Sequence, residues 1–464
     1  MPAIPSDAFV FFGATGDLAY KQIFPALQAM IRHGRLEIPV IGIANDGWTV
    51  EQLRERARSS LLNHGNFDAA AFDKLCSLMK NVNGDYRNES TFSELKKALG
   101  GAKRPLHYLA IPPSMFATVA EGLAKSGCVN DSRIIVEKPF GRDLASARQL
   151  NATLHRFFSE ESIFRIDHYL GKEPVLNLIY FRFANPWIED IWNNRHIESV
   201  QITMAENFGV EGRGKMYEEV GAIRDVVQNH MLRVIACLAL DCPSGNNHEC
   251  QGVARTRLLQ HVRKLSPDDL VRGQFRGYRQ ESGVKPDSNV ETFAAVRFWI
   301  DNERWKGVPF YVRAGKHLPI TATEILVRSK PAVRPVLDEP GPPVSNYYRF
   351  RLSPEMILAM GTRVKKPGEA MTGNAVELVA HYVPPDEMRP YERLLGDGLN
   401  GDATLFASAD DIEASWEVVD SVLNNVTPLY EYDANSWGPP EVAGRIEPEG
   451  GWHNPEPNAG TTAL

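Results

Sequence analysis

The chain has little cysteine. Five residues, Cys76, Cys128, Cys237, Cys242 and Cys250, are spread irregularly over 464 positions, and no Cys-x-x-Cys occurs. An odd, scattered set gives neither a disulfide framework nor a zinc site, and fits a reducing cytoplasm. No apolar run approaches the roughly 20 residues a membrane span needs. Met1 to Asp7 lacks a basic stretch followed by an apolar core, so no signal peptide is expected. Basic excess is absent too: the net charge is -7. That argues against nucleic acid, which needs many cations to neutralise its backbone, but leaves room for one small phosphate in a local basic pocket. No internal repeat or low-complexity linker appears. Hydrophobic residues at 43% and charged residues at 23% are ordinary for a globular protein, and the length calls for two domains.

One stretch is unlike the rest. Arg165-Ile166-Asp167-His168-Tyr169-Leu170-Gly171-Lys172-Glu173 crowds two cations, two carboxylates, an imidazole and a phenol into nine residues. No hydrophobic period explains it. Turned helically, it sets His168 and Lys172 on one side, a surface suited to an anion such as phosphate. Read as structure only, it is a capped turn into a helix starting near Glu173.

The N-terminal third alternates strand and helix. Ala8–Phe12 is a short apolar strand that ends in Gly13-Ala14-Thr15-Gly16-Asp17-Leu18, and a periodic helix follows from Leu18 to Ile31. Strand, glycine turn and helix open a dinucleotide-binding fold, where glycines admit a pyrophosphate and the helix N-terminus supplies N–H groups. The full Gly-x-Gly-x-x-Gly pattern is not met, because Phe11 stands at the first glycine. A second strand, Val40–Ala44, ends at Asn45-Asp46, where such folds choose between cofactors: an acid favours the 2′-OH of NAD, an arginine the 2′-phosphate of NADP. Residues 50–100 read as amphipathic helices. The strand around Leu106–Ile111 closes on Pro112-Pro113 at the sheet edge where ligands bind. After a helix Met115–Lys125, the buried strand Arg133–Val136 ends in Glu137-Lys138-Pro139, whose lysine can reach both nicotinamide and substrate. A helix from Asp143 to Phe157 closes the domain.

Beyond the nonamer the pattern changes. Val175–Phe181 reads as a largely buried helix, and Ile197–Glu206 alternates like a half-buried strand. A glycine-rich loop, 209–215, leads to one long helix, Tyr217–Leu240. On an α-helix Asp225 and His230, five apart, project in neighbouring directions rather than to one spot, and a histidine among Val226, Val227 and Met231 is by itself commonly a core residue. Strands at 291–300, 308–314, 325–328, 347–352 and 375–383 follow without crossover helices, which predicts a mainly antiparallel sheet flanked by helices. Lys316 ends one of them. A helix spans 409–422, and the end from about Pro455 is expected to be disordered. The organisation predicted is a Rossmann-type domain over 1–170 and an α+β domain over 171–464.

The nonamer, together with Gly13-Ala14-Thr15-Gly16-Asp17-Leu18-Ala19 and Gln228-Asn229-His230, resembles the glucose-6-phosphate dehydrogenase family over most of the chain, down to Ser436-Trp437-Gly438-Pro439. The resemblance implies oxidation of D-glucose 6-phosphate to the 6-phosphogluconolactone, the first step of the oxidative pentose phosphate pathway, by a cytoplasmic homodimer or homotetramer. It assigns His230 as general base and Asp167 as its orienting carboxylate. His168, Tyr169 and Lys172 bind the phosphate; Lys138, Glu206, Asp225 and Lys316 contact sugar hydroxyls. Gly13, Thr15, Gly16, Asp17, Leu18, Asn45, Asp46, Pro112 and Lys138 line the cofactor, and no metal is required. NADP is the implied cofactor, with NAD admitted because Asn45 replaces the family's arginine. Thr321 stands where the family often has a second cation. The alternatives are a related dehydrogenase of an unphosphorylated sugar, against which His168 and Lys172 argue, and a silent regulatory paralogue, whose mark would be loss of Asp167 or His230.

Overall fold

A computed structural model of the chain describes residues 4–243, 245, 248–331, 344–368, 371–382 and 388–457. It divides into two compact units: Met1–Glu173 with Pro243–Thr256 and Glu387–Glu413, and Pro174–Cys242 with Arg257–Asp386 and Ala414–Leu464.

The first unit is built on six parallel strands, β1 (Ala8–Phe12), β2 (Val40–Ala44), β3 (Met79–Asn83), β4 (Pro105–Leu109), β5 (Arg133–Glu137) and β6 (Ile163–Ile166), in the order β3-β2-β1-β4-β5-β6. Every residue of β1, β2 and β4 is buried, as continuous apolar runs covered on both faces must be. This is the doubly wound order whose ligand crevice lies between β1 and β4, outside the carboxyl ends. The expected run of helices over 50–100 is interrupted by β3, which buries only Met79 and Val82 and so carries no apolar signature. The expected helix Leu18–Ile31 is a π-helix, Ala19–Ile23, joined to an α-helix, Phe24–Arg32. Pro25 stands at that junction and has no N–H for an uninterrupted ladder.

The second unit is a nine-stranded sheet. Its strands are β7 (Ile197–Ala205), β8 (Leu270–Phe275), β9 (Phe293–Phe298), β10 (Phe310–Gly315), β11 (Ala322–Ser329), β12 (Tyr347–Ser353), β13 (Met356–Lys365), β14 (Gly373–Tyr382) and β15 (Leu429–Tyr432), in the order β14-β13-β12-β11-β7-β10-β9-β8-β15. Six of the eight pairings are antiparallel; β7–β10 and β8–β15 are parallel. The mainly antiparallel sheet expected from sequence is thus present. Val383, the expected end of β14, lies outside the described residues, as do residues 458–464 of the tail.

Three local expectations need correction. Strand β7 is buried on both faces, not half-buried. Its polar residues are covered and bonded: Thr203 Oγ1 accepts from Arg313 Nε at 3.0 Å, and Gln201 Oε1 accepts the His453 N–H at 2.8 Å. The helix after the nonamer, Glu173–Ala184, buries one face only, and Tyr180 is 74% exposed. The single helix expected over 217–240 is three: Gly214–Ala222, a π-helix Ile223–Met231, and Leu232–Ala239. Among the described residues no helix is long and apolar enough to cross a membrane.

Candidate active site

In the first unit the chain leaves β1 through a turn that demands glycine. Gly13 has φ +81°, and a Cβ there would stand 2.2 Å from the Ala110 carbonyl oxygen. Its N–H donates to Ile43 O at 2.9 Å and lies 3.0 Å from the Tyr86 hydroxyl, which itself donates to Ile43 O at 3.2 Å. Gly16 closes the turn by donating to Gly13 O, and Leu18 leads into the π-helix. Pro112 follows β4 on the other side of the crevice. A glycine turn feeding a helix N-terminus at the topological switch point fits the pyrophosphate of a dinucleotide.

The adenosine end of that crevice is defined by β2. Asn45 and Asp46 emerge from it exposed, and the Thr15 hydroxyl donates to the Asp46 carboxylate. One cation escaped the sequence reading: Arg56 donates to Thr15 O at 3.4 Å, lies 3.9 Å from Asp17, and stacks over the Tyr20 ring at 4.1 Å. It sits on the helix Val50–His64, amid other surface charges that hid it.

Lys138 and Asp167 leave neighbouring strands side by side, because Glu137 on β5 is register partner of Ile166 on β6. Glu137 is buried, and its Oε1 accepts from Tyr108 at 2.5 Å and from Tyr391 at 3.2 Å. Burial pushes its carboxyl up to about 7, and the two phenols oppose this only in part. Tyr391 comes from the helix Pro390–Asn400, part of a late segment that returns to this unit. Nothing local in the sequence announces this pairing, 254 positions apart.

The nonamer begins within β6 (Ile163–Ile166), a strand of four residues interrupted by Arg165 and too short to be read in advance. Arg165 is buried within it and forms a bidentate pair with Glu160 at 2.9 and 3.1 Å. From Asp167 to Lys172 the backbone bonds run i to i+3. That spacing aligns Tyr169 with Lys172, whose ammonium stands 3.8 Å over the ring. Asp167 is buried and its Oδ1 accepts the Tyr169 N–H at 3.0 Å, while the half-buried His168 ring lies 5.3 Å from the Tyr169 ring.

In the second unit, Lys316 follows β10 and Glu206 follows β7, and these strands are parallel neighbours. The Lys316 ammonium is 2.5 Å from Glu206 Oε2 and lies over the rings of Phe208 at 5.1 Å and Tyr217 at 5.5 Å. Burial, then the charges of Asp225 and Glu291, push the Tyr217 phenol well above its ordinary value. Thr321 is tied to the residue after Glu206: its hydroxyl donates to Asn207 Oδ1 at 2.6 Å. Asp225 and the buried His230 both belong to the π-helix. Its bonds span five residues, as Asn229 Nδ2 to Arg224 O at 3.1 Å also does. Residues five apart therefore return toward one side, which the α-helical expectation denied them.

These two halves correspond to two domain families. Residues 10–177 match "Glucose-6-phosphate dehydrogenase, NAD binding domain", and residues 179–453 match "Glucose-6-phosphate dehydrogenase, C-terminal domain". The chain is 41% identical over 465 residues to glucose-6-phosphate 1-dehydrogenase 1 of Mycobacterium bovis, covering 99% of this chain and 98% of that one. Against a cytoplasmic glucose-6-phosphate 1-dehydrogenase 6 of Arabidopsis thaliana it is 37% identical, covering 96% and 91%. Among solved structures, glucose-6-phosphate 1-dehydrogenase from Mycobacterium avium superposes with a TM-score of 0.91 at 41% identity, over 98% of this chain and 99% of that one. A glucose-6-phosphate dehydrogenase in complex with its substrate superposes at 0.89 with 33% identity, over 98% and 100%. The chain belongs to the glucose-6-phosphate dehydrogenase family.

Proposed function

We propose that the chain oxidises D-glucose 6-phosphate at C1 to 6-phospho-D-glucono-1,5-lactone, with His230 as general base. The observation that carries this reading is the register of Glu137 with Ile166, which sends Lys138 and the Asp167–Lys172 turn from adjacent strand ends at the carboxyl edge of a dinucleotide-binding sheet. An imidazole near neutral pKa suits removal of the proton from the C1 hydroxyl. Asp167 is assigned as the carboxylate that holds its tautomer and stabilises the imidazolium. His168, Tyr169 and Lys172 are assigned to the phosphate; Lys138, Glu206, Asp225 and Lys316 to the sugar hydroxyls. A bound nicotinamide supplies the hydride acceptor. As C1–H leaves as hydride and O1–H as a proton, a C1 carbonyl forms.

The first unit, whose N-terminal part runs to about residue 170, serves as the cofactor domain, and the second unit as the substrate and oligomerisation domain. Asn45 and Asp46 give a 2′-phosphate no cation, while Arg56 offers one from the next helix. NADP is accordingly a cofactor held with weaker discrimination than an arginine at position 45 would give, and NAD is used as well. The sparse cysteines support a cytoplasmic enzyme. The exposed apolar residues Val364 on β13 and Leu378 on the edge strand β14 support a homodimer or homotetramer.

Initial rates of dinucleotide reduction, with NADP and NAD on glucose 6-phosphate and on plain glucose, test the reading. Turnover is expected on the phosphorylated sugar with both cofactors. Equal turnover on plain glucose, or none on either sugar, would contradict it.

A further inference from the structure

We propose that Glu291 is a positioning residue for the reaction, capping the π-helix Ile223–Met231 and so fixing where Asp225 and His230 stand. The inference rests on the reading of His230 as base.

The geometry is specific. At the break before the π-helix, Gly221 turns the chain with φ +64°, and a Cβ there would lie 2.5 Å from Glu291 Oε1 and 3.1 Å from Val290 Cγ1. Directly after it, the Ala222 N–H donates to Glu291 O at 2.9 Å and the Ile223 N–H to Glu291 Oε1 at 3.1 Å. One residue therefore satisfies two donors that the start of a helix leaves without an intrahelical acceptor. Seven residues beyond Ile223, within two turns of the π-helix, lies His230.

Glu291 is itself held. Its Oε2 lies 3.5 Å from Arg272 Nε on β8, and that guanidinium, 2% exposed, also donates to Thr427 O at 3.2 Å, Asn425 Oδ1 at 2.6 Å and the Asn289 carbonyl. The anchor is thus a buried arginine on a sheet strand rather than a surface loop. Burial pushes the Glu291 carboxyl above its ordinary value, and Arg272 with the donated N–H groups pulls it back.

The next residue does the same for the other half of this unit's site. Thr292 O accepts the Lys316 N–H at 3.0 Å, and the Thr292 hydroxyl pairs with Tyr432, whose own hydroxyl donates to Lys316 O at 2.7 Å. Two adjacent residues at the entry to β9 thus hold the helix carrying Asp225 and His230 and the strand end carrying Lys316. A displacement of that entry shifts both together, whereas loss of the Glu291 side chain alone releases only the helix.

The test is Glu291→Ala and Glu291→Gln, each in the native chain and in a His230→Asn background. Misplacing a reacting group by about 1 Å costs up to a hundredfold, so Glu291→Ala should lower kcat roughly ten- to a hundredfold while KM for glucose 6-phosphate rises by a smaller factor, through the displaced Asp225. Glu291→Gln keeps the acceptor for Ile223 and should restore most of kcat. In the His230→Asn background Glu291→Ala should lower kcat no further, because the base it positions is gone, whatever the displaced Asp225 does to KM. Should Glu291→Ala not fold, Gly221→Ala drives a Cβ into the same joint and should give the same loss of kcat. Normal kcat in Glu291→Ala, with only a lower Tm, would overturn the inference while leaving the base intact; so would a loss that persists undiminished in His230→Asn. Near-normal turnover in His230→Asn alone would remove the base reading itself, and this inference with it.

Discussion

The ammonium of Lys316 and the carboxylate of Glu206 face each other at 2.5 Å across two parallel strand ends, the lysine buried and the glutamate side chain 22% exposed. Removing one partner of a fully buried pair costs about 3–5 kcal/mol; here water still reaches the carboxylate, and about 1–2 kcal/mol is expected. Glu206→Ala should therefore lower unfolding stability by that amount in a denaturant melt and raise KM for glucose 6-phosphate. An unchanged KM would take Glu206 out of the sugar site.

Lys172 stands over the Tyr169 ring, which fixes the direction of its charge. A charge-assisted contact to a phosphate is worth about 1.5–3 kcal/mol, or roughly ten- to a hundredfold. Lys172→Ala should raise KM for glucose 6-phosphate by that factor, far more than any KM for plain glucose. Equal effects on the two sugars would move the phosphate elsewhere.

In the proposed reading, cofactor choice turns on four side chains near the end of β2, Thr15, Asn45, Asp46 and Arg56. Thr15 donates to Asp46, keeping a negative charge where a 2′-phosphate would sit, and Arg56 lies beyond Thr15. Asn45→Arg should shift kcat/KM toward NADP by about tenfold or more, the worth of a gained charge-assisted contact. Arg56→Ala should lower kcat/KM for NADP more than for NAD. If both cofactors suffer alike, Arg56 only shapes the turn.

Glu137 makes one contribution to the pH dependence of stability whose sign is fixed. Its carboxyl is raised from 4.5 to about 7 in the folded chain. Between these values the folded state holds a proton that the unfolded state has lost, so stability falls as pH rises through the window and stays lowered above it. Glu137→Gln keeps an acceptor for Tyr108 and Tyr391 and removes the titration. Relative to the native chain it should gain on the order of 2 kcal/mol between pH 4.5 and 7.5 in denaturant melts at each pH. A parallel pH profile for the two proteins would contradict this.

The sequence made legible those elements whose burial is one-dimensional. Strands β1 and β2 are continuous apolar runs with turn residues at their ends, and both lie where their runs lie. What stayed hidden was set by tertiary context. Strand β3 buries two residues of five, and β6 is half occupied by a charged signature, so neither has a period to read. The polar side chains of β7 look solvated in the sequence and are covered in the fold. The break at Gly221 is invisible because one glycine in a helical pattern is compatible with either outcome, and only Glu291, 70 positions later, decides it. The same holds for the site. The side chains proposed to react stand out by chemistry, whereas Tyr86, Tyr391, Arg272 and Glu291, which hold the glycine turn, the β5 end and the π-helix start, carry no local signal.

The most direct test of the account is turnover by His230→Asn, measured with glucose 6-phosphate and either dinucleotide at saturating concentrations. Removing a general base costs about a hundredfold or more. A fall in kcat of at least that size is expected, with binding of the sugar phosphate largely kept; near-normal kcat would remove His230 as the base.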